Sequence, residues 1–161
     1  MVFDTPNDVL AAADRLSIPR ERFDLVGADS WRPIFHTIID RFCDRAVVDR
    51  QKSYLWETLV GATESVALDQ PLHLEVLSVL SEPSDRVFLL LEDWDGAKFY
   101  ENYWLFDGRL ADTLAILDEL HLVEFYLVAK KFEWLIGENH HNVVFASGEQ
   151  AVRILGHVNA A

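Results

Sequence analysis

Apolar positions recur at two different spacings along the chain, and the change from one to the other divides it. Near the start, Val9, Leu10, Ala13 and Leu16 share one face of a helix that opens at Thr5-Pro6 and stops before Pro19. Proline is tolerated at the first helical position, and Asp8, three residues after Thr5, supplies an Asp variant of the capping box. After Ser30 and Pro33, the residues Ile34, Phe35, Ile38, Ile39 and Phe42 repeat at helical spacing, with Cys43 beside the stripe. Leu55, Trp56 and Leu59 mark a further short helical segment. Pro71 to Leu80 fits both periods: Leu72, Val76, Val79 and Leu80 suit a helix, and Leu72, Leu74 and Val76 suit a strand. The flanks, Asp69 with Pro71 and Ser81 with Pro83, favour the helix.

From Val87 onward the pattern shortens. Val87 to Glu92 and Phe99 to Phe106 are aliphatic and aromatic, and Asp95-Gly96 between them is a turn signal, so together they predict a hairpin ended by Asp107-Gly108. Leu110, Leu114, Leu117 and His121 give the next helix one face. Leu122 to Val128 predicts a strand, Lys130-Lys131 a turn, and Phe132 to Ile136 and Val143 to Phe145 two more strands. Ser147 with Gln150 three residues later marks a last helix through Val152 and Leu155, ended by Gly156. The expectation is an α+β protein. An antiparallel meander of about five strands occupies the C-terminal half, packed with N-terminal and interleaved helices.

Composition adds bounds. With 161 residues, half of them apolar, the chain is long enough to remove roughly 70% of its unfolded surface from water. Its 7 Gly and 5 Pro are scattered and no repeat or linker interrupts it, so one domain over 1–161 is expected, mostly helical over 1–82 and mostly sheet with helices over 86–158. A formal charge of −13, from 27 acidic and 14 basic residues, opposes nucleic-acid binding, which rests on Lys and Arg neutralising phosphates. It equally opposes anionic membrane surfaces. The single Cys43 cannot make an intramolecular disulfide or a Cys-rich zinc site. Met1 to Asn7 lacks the pattern of a secretory signal, and the longest apolar run, Val87 to Leu91, falls far short of a membrane span of about 20 residues. A reduced, cytoplasmic setting is expected.

Candidate chemistry is sparse. The densest polar cluster is Glu138-Asn139-His140-His141-Asn142, between two predicted strands. In an extended segment Glu138 and His140 point one way and His141 the other, and a turn would let both imidazoles converge. Glu138, His140 and His141 are therefore the candidates for acid–base chemistry or for metal ligation, although the spacing matches no established metal motif. The plain alternative is a polar turn in which Asn139 or Asn142 is left-handed and the histidines hydrogen-bond the backbone. Glu92, Asp93 and Asp95 make a second acidic cluster around Trp94, and Asp93, Trp94 and Asp95 are the candidates for partner binding, an aromatic ringed by carboxylates being suited to anchor a partner. Cys43, beside an apolar stripe, has the setting of an inert small hydrophobe. Phosphate-loop, dinucleotide and serine-hydrolase motifs are lacking, and no cofactor is predicted.

The segment Lys130-Lys131-Phe132-Glu133-Trp134-Leu135-Ile136-Gly137-Glu138-Asn139-His140-His141 resembles a bacterial family of unknown function that carries K-[KR]-[FY]-x-W-L-x-x-E-N-H-H followed by a short strand and a glycine. Val143 to Gly148 fits that continuation, and Tyr103 to Phe106 and Glu124 to Tyr126 look like the family's aromatic strands. The alternation of aromatic strands and helices is also similar, by analogy alone, to SUKH-type proteins, many of which are immunity proteins that neutralise toxins. Charge and resemblance together suggest a non-catalytic binding module of the immunity or antitoxin kind with a basic protein partner. The alternative is a small enzyme or metal-binding protein built on Glu138, His140 and His141.

Overall fold

The computed structural model describes residues 5–50, 54–61, 63–67, 77, 79–92, 103–120 and 124–160. Along the chain these form α1 (Thr5–Arg15), β1 (Phe23–Leu25), α2 (Ala28–Phe42), α3 (Arg45–Arg50), the 3-10 helix η1 (Leu55–Thr58), β2 (Thr63–Ala67), β3 (Arg86–Glu92), β4 (Tyr103–Arg109), α4 (Leu110–Leu120), β5 (Phe125–Ala129), β6 (Leu135–Glu138), β7 (Val143–Ser147) and α5 (Glu149–Ala160). The seven strands make one antiparallel sheet in the order β1-β4-β3-β5-β6-β7-β2. The class is α+β.

Helices cover both faces of the sheet, which explains the continuous apolar run of β3. Strands of an antiparallel sheet usually alternate because one face meets water; here Val87 to Leu91 are all buried. Val87, Leu89, Leu91, Phe106, Phe125, Leu127, Ile136 and Val144 pack with Val9 and Ala13 of α1, Ile116 of α4 and Leu155 of α5. On the other face, Phe88, Leu90, Leu105, Tyr126, Val128, Leu135 and Phe145 pack with Trp31, Phe35, Ile38, Ile39 and Phe42 of α2 and with Leu55 of η1. Trp31 stacks on Phe35, one helical turn away, at 4.7 Å between ring centroids.

Several elements differ from the sequence expectation. The sheet has seven strands, not about five, because β1 and β2 come from the N-terminal half and form its two edges. Both are short, and in β2 only Val66 is buried, so neither carries an apolar pattern distinct from a loop. Only β5–β6–β7 is a meander. The hairpin of β3 and β4 is present, but β5 returns through α4 to pair with β3, which makes β3 a central strand. Asp107-Gly108 does not end the hairpin: Asp107 pairs with Phe88 and Asp24 inside the sheet. Gly108 is there because a Cβ would lie 2.3 Å from a ring carbon of Phe23.

Helix boundaries shift for local reasons. α2 begins at Ala28 rather than after Pro33, with Ser30 and Trp31 donating their amides to the carbonyl of Gly27. Leu16 lies beyond the end of α1 and is 38% exposed, because Ser17 turns the chain with φ of 58°. Phe132 is in a turn, also left-handed, so β6 begins only at Leu135. Ser147 belongs to β7 and not to a cap; Gly148, at φ of 98°, makes the turn into α5. Gly156 does not stop that helix, which runs on to Ala160. The helix expected over Pro71–Leu80 falls mostly outside the described residues.

Candidate functional site

The antiparallel register carries polar side chains to one end of the sheet. Glu92 pairs with Tyr103 across β3 and β4. Leu90 pairs with Tyr126, so two residues further along Glu92 stands opposite Glu124, just before β5. Phe125 pairs with Glu138, which sets Glu124 opposite Asn139. Tyr103, Glu92, Glu124 and Asn139 therefore form one cross-strand row on the face that carries Leu90, Leu105 and Tyr126. The next row inward, Leu105, Leu90, Tyr126, Gly137 and Phe145, is apolar except for the Tyr126 hydroxyl. Gly137 leaves room there for the Phe145 ring, whose atoms would lie 2.7 and 2.8 Å from a Cβ. That ring in turn packs against Tyr126 at 5.4 Å.

Above this row lies η1. The Leu55 amide donates to Glu92 Oε1 at 2.9 Å, the Tyr126 hydroxyl donates to the same oxygen at 2.8 Å, and the Trp56 amide donates to the Tyr126 hydroxyl at 3.2 Å. Trp56 stacks on Phe145 and on Tyr54, and Tyr54 meets the His140 ring at 5.1 Å. His140 Nδ1 lies 2.9 Å from Glu124 Oε2. Three buried polar atoms here, Glu92 Oε2, Glu124 Oε1 and Trp56 Nε1, have no hydrogen-bond partner among the described residues.

The electrostatics follow from that arrangement. Burial, first, pushes the Glu92 carboxyl up to about 7; the charges of Glu124 and Glu57 push the same way, against the hydrogen bonds from Leu55 and Tyr126. Burial and the neighbouring Glu92 raise both Tyr103 and Tyr126, so both phenols are neutral. Burial also lifts the Cys43 thiol to about 11, which leaves it protonated and a poor nucleophile.

The residues singled out from sequence are placed as follows. His140 and His141 are adjacent, their ring centroids 4.0 Å apart. Glu138 does not join them: it pairs with Phe125 and Val144, whose side chains belong to the α1, α4 and α5 face, and it is buried at 6% exposure. The carboxylate that His140 meets is Glu124. Asn139, 2% exposed, closes the turn by accepting the amides of His141 and Val143 on Oδ1, and Asn142 is left-handed at φ of 58°. Among the described residues no three His, Cys, Asp or Glu are grouped so as to hold a metal ion. Asp93, Trp94 and Asp95 lie outside the described residues, directly after Glu92.

A family model matches residues 7–158, nearly the whole described chain, and its description is a family of unknown function, DUF6756. The chain belongs to that family. No curated protein and no solved structure matches this DUF6756 member. Its site therefore has to be read from its own geometry. Sequence reasoning missed Glu124, Tyr126, Tyr54 and Trp56 as companions of Glu92. The signal was parity: each of Glu92 and Glu124 ends an apolar strand on the same side as its apolar neighbours two residues away. No helix of the described residues is long and apolar enough to cross a membrane.

Proposed function

We propose that this DUF6756 protein is a non-catalytic binding module, of the immunity or antitoxin kind, that receives a basic protein partner at the acidic end of its sheet. The observation that carries the proposal is how its charges are distributed. At the opposite end Arg86 and Lys130 both bind Asp107, Arg22 binds Asp112, and Arg109 and Lys131 lie close by. At the Glu92 end, Glu57, Glu92 and Glu124 pair with no Lys or Arg among the described residues, and Asp93 and Asp95 follow in sequence. Uncompensated carboxylates beside half-buried aromatic rings and exposed imidazoles attract and seat Lys and Arg side chains. Nuclease toxins are basic because they bind phosphate, which makes them partners of the matching chemistry.

The experiment is capture of interacting proteins from the source cells by tagged protein, washed at low and moderate salt. The expected result is a basic protein whose retention falls with salt and with the double reversal Glu57→Lys, Asp93→Lys. It should survive Glu133→Lys at the other end. Equal retention by both variants, at all salt concentrations, would remove the proposal.

One observation favours a second reading. A carboxyl near 7 with a bare oxygen is poised for general acid–base work, so a small enzyme would use Glu92 in the place first considered for Glu138. Its chemistry would need a bound substrate, and the described residues of the site supply no separate nucleophile.

A further inference from the structure

η1 is held to the body of the protein at its two ends by different means. Its C-terminal end is pinned by backbone hydrogen bonds: the Asp44 amide donates to the Thr58 carbonyl at 2.8 Å, the Val60 amide to the Phe42 carbonyl at 2.9 Å, and Cys43 bridges to Leu59. Its N-terminal end is pinned through side chains, by the Leu55 amide on Glu92 Oε1 and the Trp56 amide on the Tyr126 hydroxyl, itself bound to Glu92. A backbone anchor is indifferent to pH in the neutral range. A carboxyl anchor is not.

We propose that Glu92 is a proton-operated latch on η1: with the proton in place the 3-10 helix is closed over the sheet, and loss of that proton frees its N-terminal end to swing out on the Thr58–Val60 hinge. The direction follows from the surroundings. In the closed form an ionised Glu92 accepts two hydrogen bonds on Oε1 only, while Oε2 stays buried without a donor. Glu124 stands across the strand pair, also with a bare oxygen, and Glu57 faces it from η1. Tyr103 from β4 and Tyr126 from β5 are neutral, Cys43 at the end of α2 is neutral, and His140 is engaged with Glu124. No described cation meets the new charge, so hydration relieves it, and water reaches Oε2 when η1 lifts. Opening uncovers Leu55 and the Trp56–Phe145 contact while the acidic end gains a charge. The latch is a property of the fold and holds whether or not a basic partner binds there.

Amide hydrogen exchange of the free, full-length protein tests it, with rates corrected for the intrinsic pH dependence. With a closed-state carboxyl near 7 and an open-state one near its ordinary 4.5, linkage makes the opening constant rise roughly tenfold between pH 6 and pH 8.5. Protection of the Leu55 and Trp56 amides should fall by that factor, while Leu127 in the middle of β5 stays constant. In Glu92→Gln the loss of protection with pH should vanish. In Glu124→Gln, which removes the like charge and keeps an acceptor for His140, the closed-state carboxyl of Glu92 drops toward its ordinary value, so the fall in protection should persist, become smaller and level off at lower pH. Constant Leu55 and Trp56 protection in the native protein, or the same fall in Glu92→Gln, would overturn the latch. If Glu92→Gln does not fold, a fall of unchanged size and unchanged midpoint in Glu124→Gln overturns it alone.

Discussion

Replacing Glu92 by Gln is expected to stabilise the protein at alkaline pH and to leave it nearly unchanged in mild acid. Glu92 has its carboxyl raised from about 4.5 to about 7, chiefly by burial. A group whose pKa is higher in the folded state binds its proton more tightly there. Its contribution is fully present below the unfolded value and is lost as pH rises through the folded one. Each unit is worth about 1.4 kcal/mol, so Glu92 lowers stability by on the order of 2–3 kcal/mol between pH 5 and pH 8. Gln keeps an oxygen for the Leu55 amide and the Tyr126 hydroxyl, and it cannot ionise. Urea denaturation followed by tryptophan fluorescence at pH 5, 6.5 and 8 reads the difference between the two proteins. A gap that opens by roughly 2 kcal/mol from pH 5 to 8, in favour of the variant, is the expected outcome. A gap that is the same at all three values would show that Glu92 does not carry a proton into the folded state, and the electrostatic account of the site would fail with it.

Three further substitutions probe how the site is supported. Gly137→Ala places a Cβ 2.4 Å from the Phe125 carbonyl oxygen and against the Phe145 ring, so a loss of about 1–3 kcal/mol is expected from the urea midpoint, with the Tyr126 environment disturbed. Asn139→Ala leaves the His141 and Val143 amides without their acceptor and should cost roughly 1–3 kcal/mol, read as a fall in Tm of several degrees. Arg22→Met strips the bidentate partner from Asp112, buried in the first turn of α4, and should lower the urea midpoint; adding Asp112→Asn should restore part of the loss in a double-mutant cycle. A loss in the double variant equal to the sum of the losses in Arg22→Met and Asp112→Asn would show that the pair is not coupled.

The fold was legible wherever the chain buries a full apolar face. The helical stripe through Ile34, Phe35, Ile38, Ile39 and Phe42 and the run Val87–Leu91 identified themselves because each must lie against the core. β1 and β2 escaped because edge strands bury little: β2 buries only Val66, its other residues being small or polar. The glycine signals misled for a related reason. Gly108 and Gly156 look the same in sequence, yet one makes room for the Phe23 ring inside a strand and the other sits in open space within a helix. Neither ends an element, and only tertiary neighbours tell them apart.

The site was less legible than the fold, and register is the reason. Glu138, His140 and His141 are neighbours in sequence, but strand alternation sends Glu138 through the sheet to the face of α1, α4 and α5. His140 is left with Glu124, sixteen residues earlier. Glu92 and Glu124 are 32 positions apart and become a cross-strand pair only once Leu90 is known to oppose Tyr126. A like-charged pair directly opposite in a sheet is unfavourable, and a single-residue slip would send both carboxylates to the other face. The apolar runs of β3 and β5, whose alternate side chains fill two different cores on the two faces of the sheet, fix the register that brings them together. The strain of that pairing is thus imposed by the core; a proton held on Glu92 relieves it, and the proposed lifting of η1 or the proposed basic partner would relieve it in other ways.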